Sequence, residues 1–168
     1  MNNLLENQNY FLSQKLQNDI FTIICNSNIN SIIIGGPEGL GKKKFVLKLA
    51  KFILCNSELT IKITLDIFQQ NKFHLDHLKS TKSFRLFDNN SHPDFFHLNN
   101  EEDKLEKTIP IEEVRKSKHF FYKTDSISRI KIGIINTIED LSINSQNLLL
   151  KTIEELPQSS YLFIITPV

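Results

Sequence analysis

The chain has 168 residues, enough for one domain with its own hydrophobic core. Its 20 lysine and arginine residues are balanced by 19 aspartate and glutamate residues, which excludes a chain-wide positive field as the basis of nucleic-acid binding. No apolar run approaches the roughly 18 residues of a membrane span, and the N-terminus lacks a signal-peptide pattern, so we expect a cytoplasmic protein with no membrane partner.

The first quarter of the chain is predicted to form a helix, a strand and a second helix. Apolar positions between residues 9 and 25 follow a helical period, and the isoleucine-rich run 31–34 is typical of a buried central strand in a parallel sheet. The second helix is expected from about 42 to 54. Cys25 and Cys55 fall in these apolar helical patterns, and we expect buried free thiols rather than a disulfide or zinc ligands.

The residues between the first strand and the second helix read G-x-x-x-x-G-K, the phosphate-binding P-loop pattern. Glycines allow the backbone to turn its N–H groups around an anion, while the helix N-terminus and the lysine add positive charge. The loop consists of Gly36, Pro37, Glu38, Gly39, Leu40, Gly41, Lys42 and Lys43. A tight turn without a ligand is the alternative, but the flanking strand and helix favour a P-loop fold.

The residue after the P-loop lysine departs from the pattern. A serine or threonine normally stands there and ligates Mg²⁺ through its hydroxyl, whereas this chain has Lys43. An ammonium cannot ligate a metal, and it stands where the metal would lie. We therefore expect no metal at this site, and at most weak binding of ATP, ADP or phosphate.

The stretch 56–91 is expected to be an insertion, and its pattern does not define one fold. Residues 61–68 alternate like a strand, whereas the apolar positions that follow suit short helices. His74 and His77 have the spacing of a metal pair. Because no further cysteine or histidine completes an array, we expect both to be solvated.

The remainder of the chain alternates strands with helices. The predicted elements are a strand after Pro93, a charged loop at 99–107, a helix from Ile111, a strand at 130–136, a helix at about 143–155 and a strand at 161–166. This alternation predicts an α/β fold, in which a parallel sheet is flanked by helices and the site lies at the carboxyl ends of the strands.

A second part of the predicted site follows the third strand. P-loop ATPases place two acids at the end of a neighbouring strand, one to hold Mg²⁺ and one to polarise water. Asn136 and Thr137 stand in those places and supply neither a charge nor a base. Glu139 and Asp140 follow, and we expect exposed loop acids, with replacement of the missing pair as the alternative. Thr166, at the end of the last strand, is the remaining candidate for this site.

Four segments resemble a known family: the P-loop, His92-Pro93-Asp94, residues 111–115 and residues 147–157. The last segment is the most specific, being similar to the family's N-A-L-L-K-x-L-E-E-P-P. Together they look like the N-terminal AAA+ module of bacterial DNA polymerase III delta-prime subunits. The gamma/tau subunits of the same clamp loader share parts of the pattern.

The resemblance implies a RecA-like AAA+ core over residues 1–168, with the insertion at about 56–91 and with the family's lid and collar domains absent. It implies a structural clamp-loader subunit in DNA replication, part of the polymerase holoenzyme but without ATP hydrolysis of its own. The implied partners are the gamma/tau and delta subunits and, through the complex, the sliding clamp and primed DNA. The alternatives are an active gamma/tau-like ATPase and a nucleotide-binding regulator acting alone. Only Cys55 matches the family's four-cysteine module, so we expect no zinc.

Overall fold

The computed structural model of the chain describes residues 13–26, 28–59, 73–98, 109–124, 127–136 and 138–167. The helices are α1 (Gln14–Asn26), α2 (Lys42–Glu58), α3 (Phe73–Lys79), α4 (Lys82–Asp88), α5 (Ile111–Tyr122) and α6 (Ile143–Glu154), with a 3₁₀ turn at Ile138–Asp140. The strands are β1 (Ser31–Gly35), β2 (Phe95–Leu98), β3 (Lys131–Asn136) and β4 (Ser160–Thr166). The strand predicted at 61–68 and the loop predicted at 99–107 lie outside the described residues.

The four strands form one sheet in the order β1-β4-β3-β2, and every pair is parallel. The predicted α/β architecture is therefore confirmed. The prediction of a central position for β1 is wrong for the described part of the chain, where β1 is an edge strand and Ile33 is 65% exposed. An isoleucine-rich run indicates a strand, but it does not say how many neighbours that strand has.

Strand alternation divides the sheet between two helical layers. Ile132 and Ile134 of β3 pack with α1, α2 and α4 in one apolar cluster, whereas Ile135 packs with α5 and α6 in another. Successive side chains of a strand point to opposite faces, so a strand buried on both faces is apolar at nearly every position. The helices on the two faces hold the strand ends in fixed relative positions.

Gly133 lets α5 approach the second face closely. A Cβ atom at this position would lie 2.6 Å from Cζ of Phe121 and 3.3 Å from Cδ1 of Leu162. A side chain would therefore clash with the aromatic ring that α5 inserts against β3. The glycine is needed here for space.

Part of the predicted insertion is helical and belongs to the core. The Glu58 carboxylate accepts hydrogen bonds from the Lys82 and Ser83 backbone nitrogens at 3.1 and 2.7 Å, which caps α4. The buried Lys51 ammonium of α2 pairs with Asp88 at 2.6 Å and lies 3.3 Å from the centroid of the Phe84 ring. These contacts fix α4 against α2.

The two cysteines differ in exposure. Cys55 is buried, and burial raises the pKa of its thiol to about 11. Cys25 is exposed, so the expectation of a buried thiol is wrong there. It lies in the last turn of α1, which packs inward through Phe21 and Ile24. His77 is exposed, and the side chain of His74 lies outside the described residues.

Candidate functional site: the carboxyl edge of the sheet

The P-loop connects β1 to α2, as the sequence predicts. Gly36, Gly39 and Gly41 have backbone φ angles of 146°, 81° and 77°, all in the region that residues other than glycine rarely adopt. Gly41 caps α2, and its carbonyl accepts the first helical hydrogen bond from the Phe45 nitrogen at 2.9 Å. The glycines of the motif are thus required by the backbone of the turn itself.

Lys42 is held inside the loop. Its side chain is buried, and its Nζ donates to the carbonyl oxygen of Gly36 and, at 2.7 Å, to that of Pro37. The ammonium therefore cross-links the beginning of the loop to the beginning of α2. These two hydrogen bonds hold one positive charge inside the loop, which is where the P-loop motif binds phosphate.

The first turn of α2 carries an excess of positive charge. Lys42, Lys43 and Lys44 follow one another there, and the turn contains no acidic residue. A helix N-terminus is the positive end of the helix dipole, so a cation there is unfavourable by about 0.3–1 kcal/mol and an anion is favourable by a similar amount. This arrangement disfavours a bound cation and favours an anion such as phosphate.

Asn136 lies at the end of β3 and contacts a residue that the sequence reasoning missed. Its Nδ2 is 3.0 Å from Nε2 of His97, in β2. An amide nitrogen only donates, so His97 Nε2 accepts and the imidazole is neutral. Burial and the positive charge of Lys43 lower the pKa of His97 to about 4. The sequence offered one signal for this contact: His97 stands near the end of a predicted strand, as Asn136 does.

Thr166 and Glu139 meet at the same edge. Thr166 ends β4 opposite Gly35, the last residue of β1, and its hydroxyl donates to the Glu139 carboxylate. Glu139 is exposed, as expected, whereas Asp140 is half-buried, and its carbonyl accepts from the Ile109 nitrogen at 2.8 Å. Thr137 lies outside the described residues. The structure therefore places an acid beside the P-loop that the sequence located only in a loop.

The described residues of this edge do not fit a magnesium ion. Mg²⁺ takes oxygen ligands in near-octahedral geometry, and carboxylates usually supply the protein's share. Lys43 stands at the hydroxyl position, the neutral Asn136 ends β3, and the Glu139 carboxylate accepts the hydrogen bond of the Thr166 hydroxyl. Within the described ranges, no three histidine, cysteine, aspartate or glutamate side chains are grouped so that they could hold a metal.

The segment His92-Pro93-Asp94 directly precedes β2 and so lies at the amino ends of the parallel strands, away from the P-loop. Oδ2 of the fully buried Asp94 accepts from the backbone nitrogens of Ile127 and Ser128 at 2.9 and 2.8 Å. Nδ1 of His92 accepts from the Asp94 nitrogen at 3.1 Å. This motif holds the chain that enters β3.

Residues 11–167 match the family described as DNA polymerase III, delta subunit. The chain belongs to this family. It is 26% identical over 137 residues to DNA polymerase III subunit delta' of Pseudomonas aeruginosa, covering 82% of this chain and 37% of that protein. It is 25% identical over 158 residues to the subunit delta' of Buchnera aphidicola subsp. Baizongia pistaciae, covering 92% of this chain and 43% of that protein. The resemblance stated from the four sequence segments is confirmed.

Two further likenesses are more distant. A putative replication factor C small subunit of Acanthamoeba polyphaga mimivirus is 27% identical over 133 residues, which cover 79% of this chain and 34% of that protein. The crystal structure of a gamma subunit-related protein of DNA polymerase III from Thermotoga maritima superposes with a TM-score of 0.59 at 18% identity, covering 90% of this chain and 39% of that one. The latter shows that the folds are alike. This chain therefore spans about two fifths of each delta' relative.

Proposed function

We propose that this chain is the AAA+ core of a delta-prime-like clamp-loader subunit in DNA replication, structural in role and without ATP hydrolysis of its own. The observation that carries the proposal is the family match over residues 11–167, which covers nearly the whole chain. Its partners are gamma/tau and delta subunits. The core spans residues 1–168 with the insertion at about 56–91.

The absence of hydrolysis follows from the chemistry of phosphoryl transfer. Catalysis of that reaction is almost entirely positioning and electrostatic stabilisation by a lysine, Mg²⁺ and a group that orients water. Lys42 can supply the first. Lys43 and Asn136 stand where the metal would be held, and neither can replace an oxygen anion. The P-loop is thus suited to weak binding of ATP, ADP or phosphate without turnover.

Contact with DNA is proposed through the assembled complex. The net charge of the chain is +1, too small for the broad basic surface that a duplex binder uses. The sliding clamp and primed DNA are then partners of the whole complex, and we place it in the cytoplasm. Every described helix is too short or too polar to cross a lipid bilayer.

Reconstitution with gamma/tau and delta subunits tests the proposal. We expect the full chain to co-elute with them in size-exclusion chromatography. We also expect the ATPase rate of the mixture to be unchanged by Lys42→Ala in this chain, with Lys44→Ala as the matched control. Failure to co-elute under conditions where gamma/tau and delta associate with each other would contradict the proposed role.

An active ATPase is the second candidate, and the position of Glu139 beside Thr166 is the observation that favours it. If Glu139 replaced the missing acids, the purified chain would hydrolyse ATP, and Glu139→Gln would abolish the activity while keeping the shape of the side chain. Asp140→Asn is the matched control. We expect the unaltered chain not to hydrolyse ATP. That result would favour the structural role in the clamp loader over an active ATPase.

A further inference from the structure

We propose that the surface between α6 and the edge strand β1 binds an amphipathic helix of a partner protein, about three turns long, with an apolar stripe and basic residues at both ends. We call this surface the β1 surface. It consists of the apolar side chains of Ile33, Ile143 and Leu150 and the acids Glu139 and Glu154.

Ile33 is the floor of the β1 surface. Ile32 and Ile34 pack into the cluster formed with α1, α2 and α4, so Ile33 points to the other face of the sheet, which carries α5 and α6. Its partner on β4 is Ile164, which is fully buried on that face, whereas Ile33 is 65% exposed. Among the described residues, the helical layer therefore ends over β4 and leaves the outer strand uncovered.

One side of α6 forms the wall of the β1 surface. Ile143 and Leu150 are 76% and 56% exposed, and they share a side of the helix because they are about two turns apart. Leu149 points to the sheet, and Glu155 pairs with Lys118 of α5 at 2.8 Å. At about 100° per residue, Leu150 and Glu155 lie on opposite sides of Leu149. Since α5 covers β2 and β3, the Leu150 side of α6 faces β1.

An acid stands at each end of this apolar surface. Glu154 is exposed and lies one turn beyond Leu150 on the same side of α6. Glu139 is exposed at the other end, where its carboxylate accepts from Thr166, and Thr166 points to the same face as Ile164 because it is two residues further along β4. Basic groups at both ends of an occupant would therefore meet opposite charges.

The dimensions and charges favour a helix of another protein over a second copy of this chain. From Ile143 to Glu154, α6 is about 16 Å long, which matches three turns of a helix packed beside it. An exposed apolar surface with polar residues at its rim is typical of a site that binds such a helix through its apolar stripe. Two copies paired antiparallel through the β1 surface would instead place Glu139 of one copy near Glu154 of the other, and like charges oppose that pairing.

The test measures fluorescence anisotropy of two labelled 14-residue peptides titrated with the full chain. Both carry one helical stripe of leucines; the first has lysines in its first and last turns, and the second has glutamates there. We expect the lysine peptide to bind with a Kd below about 100 μM and at least about ten times more tightly than the glutamate peptide at low salt. Added salt should reduce this difference, because the charges at the ends are exposed.

Matched variants locate the binding site. Leu150→Ser and Ile33→Thr should each weaken binding of the lysine peptide by about fivefold or more, and threonine keeps the β-branched shape that suits a strand. Tyr122→Ser removes a side chain of similar exposure, 54%, from outside the β1 surface and should change the Kd by less than about twofold. Unchanged thermal melting of each variant will show that it is folded.

The charge preference has its own matched pair. Glu154→Gln should weaken binding of the lysine peptide, whereas Glu155→Gln, which changes the neighbouring acid on the α5 side, should leave the Kd within about twofold. Equal effects of these two variants would show that the acids of the β1 surface do not select the occupant.

Three results would overturn the proposal. The first is failure of the lysine peptide to bind, and the second is equal weakening by Leu150→Ser and Tyr122→Ser. The third is a dimer in sedimentation-velocity ultracentrifugation that Leu150→Ser dissociates, which would identify a second copy of the chain as the occupant.

Discussion

Removal of the Asp94 carboxylate should destabilise the protein substantially, because one oxygen of this side chain satisfies two backbone groups. Oδ2 accepts from the nitrogens of Ile127 and Ser128 at 2.9 and 2.8 Å, and Asp94 is fully buried. A buried N–H group that loses its acceptor costs about 1–3 kcal/mol. Asp94→Ala leaves two such groups, so we expect a loss of about 2–6 kcal/mol in the free energy of unfolding.

Urea denaturation followed by far-ultraviolet circular dichroism measures this loss, since the chain has no tryptophan. Asp94→Asn keeps an oxygen that can accept both hydrogen bonds, so it should cost clearly less than Asp94→Ala. Glu112→Ala, which removes an exposed acid, should change stability by less than about 0.5 kcal/mol. If Asp94→Ala costs under about 1 kcal/mol, or no more than Asp94→Asn, the two hydrogen bonds do not hold the entry to β3.

Three further predictions follow from the sheet and its carboxyl edge. Gly133→Ala should cost about 1–3 kcal/mol in urea denaturation, because the new methyl group clashes with Phe121, and Phe121→Leu in the same chain should recover part of that loss. Lys43→Thr alone should give no ATP turnover in a phosphate-release assay, because Asn136 still supplies no charge to hold a metal. Turnover in that variant would show that Lys43 alone prevents hydrolysis. Lys43→Ala should raise the pKa of His97 from about 4 in an NMR titration, because it removes the nearby positive charge. The folded-state pKa of His97 lies below its ordinary 6.5, so its contribution to stability is present above pH 6.5 and is lost as the pH falls towards 4.

Strong local signals made much of the fold predictable. Pro110 and the acids that follow it gave the start of α5, and the apolar runs gave β3 and β4 to within a residue. Strand order and the identity of the edge strand depend on pairing between distant segments, which no local pattern records. The prediction for β1 was wrong for this reason.

The same limit applies to the candidate site. The P-loop was predictable because its glycines and lysine are close in sequence and each has a local function in the turn. The contact between His97 and Asn136 joins residues 39 positions apart, and that between Glu139 and Thr166 joins residues 27 apart. Both depend on strand register and on the turn after β3. The sequence therefore identified Asn136 and Thr166 as candidates but not the groups they contact.

The shape of the P-loop does not by itself show that a phosphate binds there. Its glycines are required by the backbone, and Lys42 closes the loop by bonding to the carbonyls of Gly36 and Pro37. A chain that had lost its ligand could keep all of these residues for the stability of the turn. A defect in Lys42→Ala would then have two explanations. Lys43 and Lys44 are exposed neighbours of equal charge, so Lys43→Ala and Lys44→Ala remove the same charge without touching the buried turn. A difference between these two variants in the Kd for a fluorescent ADP analogue, measured in EDTA, would therefore report on binding and not on folding.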